Sequence, residues 1–273
     1  MLRVGLVSPA IVCLPLWVAQ DQGLLDAAGL DVAVAVLGTT DATADALAGG
    51  EVDAAFGTPD RALAAPEHLR VLAALANKPP LSLVAQPQIR SCSDLRGLEI
   101  GTSSLREGTV HLVQAMLAAH GLHYPRDYGF ALAGAHPQRW KALQDGSLAA
   151  ALQLVPLDYV AEDAGFSILG RAEDYVPWFA FSAVCVRSGW AAENPRVAEA
   201  FHGALLEAVG RVYRNRDEAA RIAAGRTGTS FEHARRGVIR ITENEALPPD
   251  LRLHPEAARR TLEAMASSPA GAD

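Results

Sequence analysis

The chain has 273 residues, half of them hydrophobic, and a formal net charge of −7. This length suffices for one large domain or two medium ones with a substantial core. The charges form no basic stripe or acidic block, which argues against nucleic-acid and membrane-surface partners. No apolar run approaches the ~20 residues of a membrane-spanning helix. Cys13, Cys92 and Cys185 are far apart, so neither a disulfide framework nor a structural zinc site is predicted.

The first 76 residues alternate between strands and helices. The pattern predicts strands at 2–7, 31–37, 53–56 and 70–76, and helices at 16–21, 42–48 and after Thr58-Pro59-Asp60. Short connections between such elements are typical of a parallel sheet covered on both faces.

Asn77-Lys-Pro-Pro80 interrupts this alternation, and a strand at Leu81–Ala85 leads into a second cycle. Its predicted strands are 98–101, 130–133, 149–154 and 167–169, and its predicted helices are 105–119, 137–144 and 157–164. A strand at 180–187 returns to the first half, and helices follow at 195–214, 217–224, 231–239 and 255–266.

The predicted fold is therefore α/β, with two doubly wound lobes joined by a two-strand hinge. The expected boundaries are 1–79 plus 184–273 for the first lobe and 80–183 for the second, with a ligand cleft between them.

The stretch 94–112 organises the second lobe. Ser104 and Glu107 have the spacing of a capping box, which predicts a helix that starts near Leu105. Thr102 and the two serines that follow it would then surround a helix N-terminus, which favours an anion or a polar head group. Arg106 would add a donor for a carboxylate or sulfonate. The alternative is that the hydroxyls only cap the helix and that Arg106 is only a solvated charge.

In doubly wound sheets, ligands bind beyond the carboxyl ends of the strands. The corresponding loops are small, contain glycine and carry hydroxyl groups, which suits a small polar or anionic solute. The candidate ligand-binding residues are Ser8, Ala10, Cys13, Thr39, Thr40, Thr58, Asp60, Ser103, Ser104, Arg106, Val155, and the aromatic Trp178 and Phe181 beside the predicted hinge.

No catalytic residue, metal or cofactor is predicted. The chain lacks a Gly-x-Ser-x-Gly elbow, a Walker loop and a His-Glu-x-x-His motif. Cys13 lies in a strand-end loop, but no histidine is expected in the other such loops to activate it, so it is interpreted as a small apolar residue. His120 and His123 are separated by Gly121 at a predicted helix end, which argues against a metal pair.

Four segments resemble a known family. They are Leu14-Pro-Leu-Trp-Val-Ala-Gln-Asp-Gln-Gly-Leu-Leu25 with Gly29-Leu-Asp-Val32, the Leu-x-x-Gly-x-x-Asp-Ala pattern in 47–56, Leu95-Arg-Gly-Leu-Glu-Ile-Gly101, and Asn194-Pro-Arg-Val-Ala-Glu-Ala-Phe201. In this order they resemble the substrate-binding proteins of ABC importers, in the branch that contains nitrate, sulfonate and taurine binders and the NMT1/THI5-like proteins.

The resemblance implies a type II periplasmic-binding-protein fold, a monomer that closes on one solute, and delivery to an ABC permease. The implied ligand is a sulfonate, nitrate, a carboxylate or a pyrimidine-type molecule. The resemblance also implies a periplasmic or cell-envelope location. No leader is recognised after Met1, which instead predicts a cytoplasmic protein if Met1 is the native start.

Two alternatives remain. The first is a cytoplasmic enzyme on the same fold, a decarboxylase or a biosynthetic protein. Against one form of it, the pyrimidine synthases of this branch carry a lysine and a histidine where this chain has Gly57 and Arg61, and their cysteine-rich motif is absent. The second is the effector domain of a transcription regulator, but no DNA-reading helix pair is recognised.

Overall fold

The computed structural model describes residues 1–266, which form two five-stranded sheets flanked by helices. The first sheet contains β1 (Leu2–Leu6), β2 (Val32–Val36), β3 (Ala54–Gly57), β4 (Leu69–Ala76) and β10 (Ser182–Arg187). The second contains β5 (Leu81–Ala85), β6 (Glu99–Thr102), β7 (Gly129–Leu132), β8 (Ala150–Leu154) and β9 (Ser167–Arg171).

The two sheets share one topology. Their strand orders are β2-β1-β3-β10-β4 and β7-β6-β8-β5-β9. In each sheet the fourth strand in this order is antiparallel to both of its neighbours, and the remaining pairs are parallel. The prediction of two similar α/β lobes is confirmed, and the four strands of residues 1–76 run in one direction as predicted, but each sheet also contains one antiparallel strand. The exceptions are β5 and β10, the strands that follow each passage of the chain between the sheets.

The helices cover the faces of the sheets. They are α1 (Leu14–Asp21), α2 (Leu24–Ala27), α3 (Thr40–Gly49), α4 (Asp60–Ala64), α5 (Gly108–Ala118), α6 (His136–Gln144), α7 (Leu157–Asp163), α8 (Ala172–Tyr175), α9 (Ser188–Glu193), α10 (Pro195–Arg214), α11 (Arg216–Thr227), α12 (Phe231–Glu243) and α13 (Pro255–Ala266). The short helices α2, α8 and α9 were not predicted, because a single helical turn gives too little periodicity to recognise.

The long helix α10 shows how the sequence builds the core. Its buried side chains include Phe201, Leu205, Val209 and Val212, whose spacing places them on one helix face. The ring of Phe201 meets Phe56 of β3 edge-on, with 6.5 Å between the ring centroids. Within residues 1–266, no helix combines the length and the apolar character needed to cross a membrane.

Arg240 connects the C-terminal helices to the second sheet. Its guanidinium lies 2.6 Å from an Asp158 carboxylate oxygen and donates to both oxygens of Glu173 at 2.8 Å. Further donations reach the Ser82 hydroxyl and the Leu81 carbonyl, each at 3.2 Å. Burial raises the pKa of both carboxyl groups, and the charge of Arg240 opposes that rise. One arginine on α12 therefore ties together β5, α7 and α8.

Removal of Arg240 should destabilise the protein strongly. In Arg240→Met, Asp158 and Glu173 lose the only cation that contacts them within the described chain, and breaking such a buried pair costs about 3–5 kcal/mol. Urea denaturation measures the loss. The control is Arg235→Ala on the same helix. The ion pair of Arg235 with Asp217 is exposed, so its loss should change the free energy of unfolding little. Equal losses in the two variants would contradict the structural role assigned to Arg240.

Candidate functional site

A cavity lies where the two sheets meet, beyond the carboxyl ends of β1, β3, β6 and β8. It encloses about 560 Å³, including its opening to solvent. The residues that line it come from both halves of the chain: Val7, Ser8, Ala10, Val12, Cys13, Thr40, Phe56, Gly57, Thr58, Ser103, Glu107, Thr109, Ala135, His136, Arg139, Leu154, Phe181 and Ser182.

Glu107 is the centre of the polar wall on the second sheet's side. One carboxylate oxygen accepts from the Thr102 hydroxyl at 2.7 Å, the Ser103 backbone N–H at 3.1 Å, and the Thr109 hydroxyl. The other oxygen accepts from the Ser103 hydroxyl. Burial by itself would raise the pKa of Glu107, but the charge of Arg139 and these hydroxyls outweigh it and hold the pKa below its usual value. Glu107 is therefore an ionised carboxylate in a buried position.

These hydrogen bonds fix where the neighbouring protons point. A serine or threonine hydroxyl has one proton and two lone pairs. Ser103 and Thr109 both donate their proton to Glu107, so only their lone pairs are left for the cavity. Toward a ligand, this part of the wall offers acceptors.

Arg139 supplies the complementary donors. It lies in the first turn of α6, its side chain is 2% exposed, and one terminal nitrogen is 3.6 Å from Glu107. That nitrogen, Nη1, and the chain nitrogen Nε are buried without a hydrogen-bond partner. A buried donor without a partner costs about 1–3 kcal/mol. The cavity thus holds a guanidinium with unused donors beside a saturated carboxylate.

His136 packs next to Arg139 at the start of α6. Its Nδ1 accepts from the backbone N–H of Leu154 at 3.3 Å and lies 3.4 Å from Arg139 Nη2. Burial and the adjacent positive charge hold the pKa of His136 well below its usual value, despite a backbone contact with Leu152 that opposes the shift. The ring is neutral, and the site contains no second cation on this wall.

Asp60 lies behind the cavity wall formed by the first sheet. Burial raises its pKa to about 6, a hydrogen bond with Thr58 opposes the rise, and the charge of Glu107 adds to it. One of its carboxylate oxygens is buried without a hydrogen-bond partner. Together, Arg139, Glu107 and Asp60 give the site a charge between zero and −1 around neutral pH.

The structure brings seven of the predicted residues together around the cavity. They are Ser8, Ala10, Cys13, Thr40, Thr58, Ser103 and Phe181.

Six others lie elsewhere, each for a physical reason. Thr39 caps α3, since its hydroxyl accepts from the N–H of Ala42, and Ser104 accepts from the N–H of Arg106. Arg106 itself is exposed. Asp60 is behind Thr58, Val155 lines a neighbouring cavity, and Trp178 stacks on His254 with 3.8 Å between the ring centroids.

The predicted capping box between Ser104 and Glu107 is wrong. Glu107 is itself the residue before α5, which begins at Gly108 and not near Leu105. The carboxylate accepts from Thr102, Ser103 and Thr109, so it is not available to the N–H of Ser104.

Sequence reasoning missed Thr109, His136 and Arg139, and treated Glu107 only as a cap. A signal was present: His136-Pro137 follows the end of β7, and Arg139 lies one turn into the next helix. This is the same argument that singled out Arg106 after β6. The loop after β7 is another strand-end loop at this edge, and the histidine that follows it lines the same cavity as Cys13.

Cys13 lines the cavity as a thiol. Burial raises its pKa to about 12, and its Sγ–H is directed to the carbonyl of Ser8 at 3.8 Å. A thiol in this state is a poor nucleophile at neutral pH.

Asp60 predicts a specific dependence of stability on pH. Its pKa is about 6 in the folded protein against the usual 3.8, so ionisation is disfavoured in the fold. The protein should therefore lose stability as pH rises from about 4 to above 6, by up to about 3 kcal/mol from this group. Asp60→Asn should remove that loss, so that the stability of the variant relative to the wild type increases as pH rises.

Urea denaturation of both proteins at pH 4 and pH 7.5 tests this. Asp31→Asn, at an exposed aspartate, is the control and should follow the wild type. A constant difference between Asp60→Asn and wild type at the two pH values would contradict the buried, disfavoured carboxylate.

A model of the NMT1/THI5-like family matches residues 11–219, which is well over half of the chain. No curated protein matches the sequence.

Solved structures with similar folds cover almost the whole chain. A Candida albicans protein described as having the generic periplasmic binding protein fold is 17% identical, with a TM-score of 0.78, and the match covers 100% of this chain and 91% of that one. The alkanesulfonate-binding protein SsuA from Xanthomonas axonopodis pv. citri, bound to MOPS, is 18% identical, with a TM-score of 0.72 and coverages of 93% and 96%.

The desulfurization enzyme DSZB is also similar, at 16% identity, a TM-score of 0.68 and coverages of 97% and 90%. At these identities the similarity establishes the fold, which is that of the periplasmic binding proteins.

Proposed function

Because the chain belongs to the NMT1/THI5-like family, we propose that it is a solute-binding protein that captures a small polar molecule between its two lobes. The observation that carries the proposal is the cavity at the meeting of the two sheets, where Arg139 has two buried donors without partners. A ligand with acceptor atoms would satisfy these donors and would bridge the two walls. In this proposal the lobes comprise residues 1–79 with 184–273, and residues 80–183, and they close about the two connecting segments.

The charges favour an uncharged polar head over a simple anion. Arg139 is the cation in the cavity, and Glu107 already neutralises it at 3.6 Å. A sulfonate, carboxylate or nitrate would gain from Arg139 but would be repelled by Glu107 and, above about pH 6, by Asp60. A head that carries both an acceptor and a donor fits better, since Arg139 donates while Ser103 and Thr109 accept. Of the solute classes considered, the pyrimidine type has this character.

We also propose delivery of the ligand to an ABC-type permease outside the cytoplasm, on the basis of the resemblance to the substrate-binding proteins of ABC importers. SsuA, a neighbour of the same fold, is an alkanesulfonate-binding protein. We propose the same role for this chain, acting as a monomer, with a ligand that is released unchanged.

Catalysis is the second candidate function. DSZB is an enzyme with this fold, and Cys13 and His136 line one cavity here. The thiol pKa of about 12 and the neutral, backbone-bonded imidazole argue against a thiolate nucleophile activated by a histidine. Binding without chemistry is therefore the function that we propose.

Substitution at Arg139 tests the proposed binding mode. A thermal-shift screen of pyrimidines, alkanesulfonates, small carboxylates and nitrate first identifies a ligand, since a ligand of the folded state raises the melting temperature. Arg139→Lys keeps the charge beside Glu107 but loses the planar fork of donors. It should weaken binding of the hit at least tenfold, because a hydrogen bond to a charged group contributes about 1.5–3 kcal/mol.

Arg106→Ala is the matched control, since this exposed arginine lies four residues after the end of β6 but does not line the cavity. Its affinity, measured by titration calorimetry, should stay within about twofold of wild type. Loss of binding in Arg106→Ala with full binding in Arg139→Lys would reverse the assignment. If the hit is consumed during incubation, catalysis replaces binding as the function. If no compound of the panel raises the melting temperature, the proposed solute classes are overturned.

A further inference from the structure

A second cavity adjoins the first. It encloses about 1050 Å³, including its opening to solvent. Ala10, His136 and Leu154 line both cavities, so the neutral imidazole of His136 stands at their junction. The remaining walls come from the loop before α1, from α6 and α7, and from the turn between α11 and α12.

The second cavity lacks the charged side chains of the first. Its walls are formed mainly by Ile11, Pro137, Trp140, Val155, Leu157 and Val160. Among the described residues, no aspartate, glutamate, lysine or arginine lines it. The polar groups that reach it are hydroxyls of the α11–α12 turn and two histidines. One of these, His233, has its Nε2 2.8 Å from a carboxylate oxygen of Asp163 and its Nδ1 2.8 Å from Ser230.

We propose that the second cavity binds an apolar part of the same ligand, a short alkyl chain or a hydrocarbon ring, while the polar head occupies the first cavity. This inference rests on the proposed function and specifies its ligand class: an amphiphilic small molecule with an uncharged polar head. His136 lies where the head joins the apolar part. A solute without an apolar part would leave the apolar walls of the second cavity in contact with water.

The position of the cavity favours a part of the bound solute as its occupant over a segment of a partner protein. Its walls belong to both halves of the chain and continue into the polar cavity, so a ligand that enters the cleft meets both spaces. The guanidinium of Arg236 is within 4.1 Å of the Tyr159 ring and pairs with Glu162 and Asp163. With His233, this holds α12 against α7 and fixes the distance between two of the cavity's walls.

Two homologous series of probes test the inference: 4-amino-2-alkylpyrimidines and n-alkanesulfonates, each from methyl to hexyl. Affinity is measured by titration calorimetry against the wild type. In the series whose head binds, each added methylene should tighten binding about fourfold until the cavity is filled, because each one leaves water for an apolar wall.

Val160→Trp and Thr229→Trp fill the second cavity from two different elements, α7 and the α11–α12 turn. Both side chains are half-buried, so the larger ring can be accommodated without displacing the core. In each variant the methyl probe should bind as in wild type, and the dependence on chain length should disappear. Leu206→Trp, on α10 at a side chain that is 37% exposed, is the control and should retain it.

The outcomes separate this inference from the proposed function. Binding of the methyl probe with no gain along the series overturns the second subsite and leaves solute binding intact. A gain that survives in both tryptophan variants also overturns it, since the chain would then lie elsewhere. Failure of both series at every length, together with the solute panel, would overturn both proposals.

Discussion

The site depends on keeping Glu107 ionised in a buried position. Taking a carboxylate out of water costs several kcal/mol unless a cation and hydrogen bonds replace the solvent. Here Arg139 and donors from Thr102, Ser103 and Thr109 replace it. Three features follow from that requirement. Helix α5 begins only after Glu107, the hydroxyl protons of the wall point away from the cavity, and the charge of Arg139 is neutralised before a ligand arrives.

Most helices and strands could be predicted from the sequence, because they alternate in recognisable hydrophobic patterns. Short apolar strands and amphipathic helices with glycine ends recur in both halves, and helices such as Pro195–Arg214 were predicted with their observed bounds. What local patterns did not reveal was strand direction. Whether β5 and β10 run parallel or antiparallel to their neighbours is decided by how the chain passes between the sheets, and no residue in either strand encodes it.

Only part of the site could be predicted, because local patterns identify loops but not which side chains become buried. Strand-end loops could be identified from their hydroxyls and glycines, and Ser8, Thr40, Thr58 and Ser103 do meet at one cavity. Arg139 could not be distinguished from Arg106 by sequence alone. Each follows the end of a strand, and only the packed structure shows that the Arg139 side chain is 2% exposed beside Glu107 while Arg106 is exposed to solvent. Burial raises the free-energy cost of a charge, and it is a property of tertiary packing that the local sequence does not reveal.

The shared topology of the sheets also bears on the order in which the protein can assemble. All five strands of the second sheet lie within residues 81–171, whereas the first sheet needs β10, at residues 182–187, between β3 and β4. During synthesis, β4 therefore has no neighbour in its own sheet until the whole second sheet has left the ribosome. Strand β4 includes the apolar run Val71–Ala76, and an unpaired apolar strand is a template for association. The return strand β10 therefore covers a segment that the earlier half of the chain leaves unpaired.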